Sequence, residues 1–167
     1  LIKIIKEKRI SSINILFDLT KCAYYKEDIK AYFYFIDRTS AEAVFSDYER
    51  PIFEFFRPSK GEVVIDVGAN IGIYTIYASK LVGEEGIVIA LEPNPEAYTC
   101  LLKNLRINKI NNCKALQYAL YFEDAILPLF RTYGYFDSAT LQPFAFKNHI
   151  DKGDLKITGR YMVKAIK

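Results

Sequence analysis

Residues 63–94 read VVIDVGANIGIYTIYASKLVGEEGIVIALEPN. Val63-Val64-Ile65 is a short, continuous β-branched run, the pattern of a strand buried on both faces of a parallel sheet. Ile73, Ile76, Tyr77 and Leu81 then recur at helical spacing, and Gly83 supplies the stop. Ile87–Leu91 repeats the buried-strand pattern. Asn94 caps a second helix with Pro95 at its first position, where the missing N–H costs nothing. Ala97, Tyr98, Leu101, Leu102 and Leu105 share one face of that helix, and a third strand is expected over Lys114–Ala119. Strand and helix alternating at this spacing over residues 61–120 predict a parallel βαβαβ unit with right-handed crossovers, hence an α/β fold.

The flanks differ in character. In residues 1–60, Ile13–Leu19 fits a helix or a strand, Ala31–Ile36 a short strand, and Ala43–Phe45 another. Ser46–Arg57 reads as a helix capped by Ser46 and kinked or divided at Pro51. In residues 121–167, Ala125–Arg131, Thr140–Phe146 and Tyr161–Lys167 read as antiparallel strands, with Tyr133-Gly134-Tyr135-Phe136 as a hairpin turn. The predicted organisation is an amino-terminal cap over 1–60 and a parallel α/β domain over 61–167, best treated as one domain.

Composition narrows the classes. At 167 residues, 51% hydrophobic and 26% charged, the chain has the makeup of one globular domain. Three scattered cysteines (Cys22, Cys100, Cys113) and a single histidine (His149) argue against a disulfide framework and a Cys/His zinc site, and they suit a reducing cytoplasm. No apolar run approaches the ~20 residues of a membrane span. A net charge of +3 is mild, and the Lys3, Lys6, Lys8, Arg9 cluster reads first as a solvated face, so nucleic acid is not the expected partner.

The chemistry lies in the glycine-punctuated turn after the first parallel strand. Such a turn sits at the carboxyl end of the strand, where open α/β sheets bind ligands. Gly68 permits close backbone approach, and the helix starting near Gly72 offers free N–H groups and a positive dipole end. Twenty positions after Gly72, Glu92 ends the next strand, placed to accept hydrogen bonds from both hydroxyls of a ribose. A nucleoside-containing cofactor follows. A dinucleotide fingerprint anchored on Gly68 would need glycine at positions 70 and 73, which hold Asn70 and Ile73. Asn tolerates the left-handed backbone of a tight turn but crowds a pyrophosphate, whereas S-adenosylmethionine carries no phosphate. Asp66 either contacts the ligand or caps the turn. Tyr118 is either an adenine wall or a packed core residue.

Residues 66–108, DVGANIGIYTIYASKLVGEEGIVIALEPNPEAYTCLLKNLRIN, resemble the FkbM-type family of S-adenosylmethionine-dependent methyltransferases in the DVGANIG and EPNP segments and in the helix ending at Asn104 and Asn108. The likeness extends back to Tyr48-Glu49 and on through Tyr118-Ala119-Leu120 to Ser138. It implies a class I Rossmann-like methyltransferase core. Within it Asp66, Gly68, Asn70 and Gly72, with Ala69 between them, line the methionine side of the cofactor. Glu92, followed by Pro93, holds the ribose, Tyr118 and Ala119 flank the adenine, and Glu49 closes over the methionine moiety. It also implies methyl transfer to an oxygen of a small molecule or glycan. RNA methyl transfer and a non-catalytic nucleoside-binding module are the alternatives. No residue stands out as a general base, and no metal is expected. In the resembled family the closing strand leads into an Asp-x-Glu-Gly stretch and further sheet. The expectation is therefore a carboxyl-terminally truncated domain, with a partner chain or a missing segment covering its sheet edge.

Overall fold

The computed structural model describes residues 4–5, 23–45, 50–134, 139–141 and 155–167. The Ile13–Leu19 element, the Lys3, Lys6, Lys8, Arg9 cluster, Cys22, Ser46, Tyr48-Glu49, Tyr135-Phe136, Ser138 and His149 lie outside them. So does the expected strand beyond Leu141.

In chain order, β1 (Ile4–Ile5), β2 (Ala23–Lys26) and β3 (Ala31–Phe33) form a small sheet, with β2 and β3 an antiparallel hairpin. Helices α1 (Arg38–Phe45) and α2 (Arg50–Phe55) follow. The central unit is β4 (Val63–Val67), α3 (Ile73–Val82), β5 (Ile87–Leu91), α4 (Pro95–Ile107) and β6 (Cys113–Leu116), with all three strands parallel in the order β4-β5-β6. Next come β7 (Ala119–Leu120), β8 (Ala125–Gly134), β9 (Ala139–Thr140) and β10 (Leu155–Ile166), in a sheet ordered β7-β10-β8-β9. This is the mixed α/β, Rossmann-like arrangement that the alternation predicts.

Several local expectations are corrected. Ala43–Phe45 closes α1 rather than forming a strand. Asp37 Oδ1 accepts the Ser40 N–H at 2.8 Å and starts the helix, whose Ala41 and Val44 then face the core. β3 stops at Phe33, short of Ile36. Of the helix expected over Ser46–Arg57, kinked or divided at Pro51, the described part is α2, with Pro51 as its second residue. The third parallel strand ends at Leu116, and Ala119 opens a different sheet. Tyr133 and Gly134 belong to β8 rather than to a turn, opposite Lys156 and Leu155. β10 pairs antiparallel with β8, as expected, but parallel with β7.

Among the described residues, helices cover the parallel strands on one face. Val64, Val88 and Cys113 pack against Ala78 and Val82 of α3. On the opposite face Val63, Ile65 and Val67 are 65%, 61% and 53% exposed. The reason is topological. With strand order following chain order, two right-handed crossovers place α3 and α4 on the same side.

One hydrophobic cluster joins Tyr24 and Phe33 of the hairpin to Ile71, Ile76 and Leu101 of the central unit. Two asparagines one helical turn apart complete the junction. Asn104 Oδ1 accepts the Tyr34 N–H at 2.7 Å and its Nδ2 donates to the Tyr34 carbonyl at 3.1 Å. Asn108 does the same for Tyr32, accepting at 2.8 Å and donating at 2.6 Å. The two side-chain amides thereby act as a surrogate strand for alternate residues at the hairpin edge. This role was not legible in the sequence, because it depends on a partner some 70 residues upstream.

Cys100 and Cys113 are free. Burial pushes the Cys100 thiol up to about 11, and burial with the nearby Asp66 charge pushes Cys113 up to about 12. Both stay protonated at pH 8, and the thiolate is the nucleophile. Peptide-resolved iodoacetamide labelling at pH 8 should therefore modify both slowly in the native protein and rapidly in urea. Fast native labelling of either would refute this burial.

Candidate functional site

The carboxyl ends of β4 and β5 are drawn together by their backbones. The N–H groups of Gly68 and Ala69 both donate to the Leu91 carbonyl, at 2.9 and 3.0 Å. The chain then turns sharply, with Gly68 at φ +80°, Asn70 at +51° and Gly72 at +95°. Asn70 thus adopts the left-handed backbone for which its residue type is suited. At Gly72 the positive φ favours glycine, and a Cβ would stand 2.5 Å from Leu101 Cδ1, so a side chain there would also displace Leu101. At Gly68 a Cβ would meet nothing within 4 Å, so this glycine borders open space.

Glu92 is the organising group. It is buried, its Oε2 accepts the Asn70 N–H at 2.7 Å, and its Oε1 accepts the Asn94 N–H at 2.7 Å. One carboxylate therefore ties the glycine turn to the cap of α4, where Asn94 Oδ1 accepts the Glu96 N–H at 3.0 Å. Burial raises its carboxyl above the ordinary value; the Asn94 and Asn70 bonds oppose the shift and the Asp66 charge adds to it. Asp66 is also raised by burial, and Thr75 opposes the shift through its hydroxyl and its backbone N–H. The Thr75 hydroxyl lies 2.5 Å from Asp66 Oδ2. These bonds hold Asp66 to the first turn of α3.

A cleft of about 510 Å³ opens at this point. Gly68, Asn70, Glu92 and Pro93 line it together. Asp66, Ala69 and Gly72 lie behind this wall in the turn, while Tyr118 and Ala119 are not among the lining residues. Ala119 is buried in the cluster formed by Leu129, Val163 and Ala165. Glu49 is outside the described residues. The opposite wall was missed in the sequence. It comes from Asp37 and Ser40 at the start of α1, and from Arg131, Thr132 and Thr158 of the antiparallel sheet. Asp37 and Ser40 carry a local signal, an acid three residues before a serine at a helix start. Arg131 and Thr158 carry none, because only the folding of β8 and β10 brings them to the cleft.

The donor set suits a nucleoside. Each Glu92 oxygen accepts one N–H and retains acceptor capacity for a hydroxyl, so the carboxylate can serve two ribose hydroxyls without giving up its structural bonds. Among the described residues no group of three or more His, Cys, Asp or Glu side chains could hold a metal, and no helix is long and apolar enough to cross a membrane.

The Rossmann-like fold and this strand-turn-helix cleft are similar to those of the S-adenosylmethionine-dependent methyltransferases. More narrowly, residues 42–119, just under half of the chain, match the TRM5/TYW2 methyltransferase domain. The FkbM-type family is not shown by the comparisons. A tRNA(Phe) (4-demethylwyosine(37)-C(7)) aminocarboxypropyltransferase of Methanocaldococcus jannaschii is 42% identical over 57 residues, covering 34% of this chain and 22% of that protein. A tRNA (guanine(37)-N(1))-methyltransferase of Saccharomyces cerevisiae is 37% identical over 65 residues, covering 39% and 12%. The solved structure of M. jannaschii TYW2 in complex with AdoMet aligns with a TM-score of 0.48 and 24% identity, over 61% of this chain and 45% of that one. The chain spans less than a quarter of the length of the two curated relatives. These relatives act, by name, on tRNA. The expectation that nucleic acid is an improbable partner is therefore corrected; net charge averaged over a chain says little about where the charge sits.

Proposed function

We propose that the chain binds S-adenosylmethionine in the cleft at Gly68, Asn70 and Glu92, and that it serves group transfer from this cofactor to RNA. The observation that carries the cofactor reading is the buried Glu92 carboxylate at the end of β5, facing the cleft and bonded to both neighbouring turns. Asp66 and Gly72 act from behind, holding the turn that presents Asn70. The cofactor brings an electrophilic carbon on a sulfonium. The residues of the chain bind it, orient it and present the acceptor in line, which is where the rate advantage of such a transfer resides. Asp37, Ser40 and Arg131 line the same cleft. The match of residues 42–119 to a tRNA-modifying family supports RNA over the hydroxyl of a small molecule or glycan. We treat the cap over residues 1–60 and the Rossmann-like unit as one domain, since the hairpin shares its core. The free Cys100 and Cys113 suit a reducing compartment.

Titration calorimetry should show binding of S-adenosylmethionine and S-adenosylhomocysteine, with NAD much weaker. Preference for NAD would overturn the cofactor assignment. Transfer of label from S-adenosylmethionine to a small-molecule panel, with none to total tRNA, would overturn the RNA reading.

A further inference from the structure

We infer that the solvent-facing side of the antiparallel sheet, centred on β10 and its neighbour β8, is the platform on which the RNA lies. This inference rests on the RNA reading above and adds the surface that would receive the substrate. β10 is an interior strand, flanked by β7 and β8. Arg160 and Lys164 are exposed, stand four residues apart, and so project from the same face about 13 Å from each other at ~3.3 Å per residue. Between them on that face is Met162, 57% exposed. Across the pairing, Lys164 stands opposite Ile126, which is 66% exposed, and Arg160 opposite Phe130. The Arg160 guanidinium lies over the Phe130 ring, 5.9 Å from its centroid. Cations interleaved with flat or flexible apolar side chains on a sheet are what a single-stranded nucleic acid requires. The cations meet phosphates, while Phe130 and Arg160 offer planes on which bases stack.

Charge selects the occupant. The cations on this face are Arg160 and Lys164, and β8 and β10 carry no acidic residue, while Arg131 is paired with Glu96 on the other face. A second copy of this chain would bring the same positive strands against themselves, whereas a polyanion is complementary.

The platform is also continuous with the cleft. Thr158, two residues before Arg160, lines the cleft, as do Arg131 and Thr132 immediately after Phe130. The junction is clamped. Arg131 Nη1 lies 2.9 Å from Glu96 Oε2, and the Tyr161 hydroxyl donates to Glu96 Oε1 at 3.0 Å. Glu96 sits in the first turn of α4, beside the cap that Glu92 holds. A strand of RNA lying along β10 is thereby led to the cleft in a fixed register.

The test is fluorescence anisotropy with labelled total tRNA across a salt series, using the parent chain, Arg160→Gln/Lys164→Gln and Phe130→Ala, with S-adenosylmethionine binding measured on each. The double variant should bind RNA at least tenfold more weakly, with the slope of log K against log salt reduced by about 2, while cofactor affinity stays within twofold. Phe130→Ala should weaken RNA binding with no change in slope. Unchanged RNA affinity and slope in the double variant would place the RNA elsewhere and overturn the platform, leaving the RNA reading intact. Absence of RNA binding by the parent chain would instead sink the RNA reading itself. Concentration-dependent dimers in gel filtration that the double variant abolishes, without RNA binding by the parent, would assign this face to contact between copies.

Discussion

Glu92→Ala is expected to weaken S-adenosylmethionine binding by about 1.5–3 kcal/mol, roughly 10–150-fold, the range for hydrogen bonds to a charged group. It should also lower stability by about 1–3 kcal/mol, because Asn70 and Asn94 both lose their acceptor. The lower bound applies if water replaces the carboxylate at Asn70, which faces the cleft. Glu92→Gln sharpens the test, since an amide accepts through its single oxygen and turns an NH2 toward the other N–H. It should fail nearly as badly in both respects. Calorimetry and urea unfolding read the two effects separately, and an alanine variant that binds cofactor like the parent would show that the ribose is held elsewhere. The acid also has a pH signature. Burial raises the Glu92 and Asp66 carboxyls, so the folded chain holds these protons more tightly than the unfolded one. Their ionisation therefore opposes folding. The penalty is absent below the ordinary carboxylate values, grows as pH rises from there through the raised folded values, and is constant above them. Glu92→Gln should remove the Glu92 share of that slope.

Asn104→Ala should cost about 3–5 kcal/mol of stability, among the larger effects of a single substitution. Asn104 is fully buried and satisfies three backbone groups: the Tyr34 N–H, the Tyr34 carbonyl and the Ile71 carbonyl, the last at 2.9 Å. Asn104→Asp keeps the acceptor for Tyr34 but faces both carbonyls with an anion, so it should be no better tolerated. Amide exchange gives the local readout: the Tyr34 N–H should lose its protection first. A variant within 1 kcal/mol of the parent, with Tyr34 still protected, would mean that the hairpin is held by its apolar contacts alone. Because Ile71 is adjacent to Asn70, cofactor affinity should fall as well.

The sequence by itself determined the elements whose causes are local. The run Val63–Val67, the helical spacing after Gly72, the Asn94-Pro95 start of α4 and the left-handed Asn70 all follow from side-chain volume, period and capping over a few residues. The position of Glu92 at a strand end beside the glycine turn was legible in the same way. Ala43–Phe45 misled because three apolar-biased residues suit a strand or a helix equally, and the Asp37 cap decided for the helix. Burial on both faces of the sheet was inferred from composition, yet coverage depends on where the crossovers place α3 and α4, which no window of sequence contains. Tertiary structure alone decided the pairing of Asn104 and Asn108 with the hairpin, the separation of Ala119 from the parallel strands, and the arrival of Arg131 and Thr158 at the cleft. Each depends on residues distant in the chain, and the free energy that selects such contacts comes from burying them together rather than from any preference of the residues themselves.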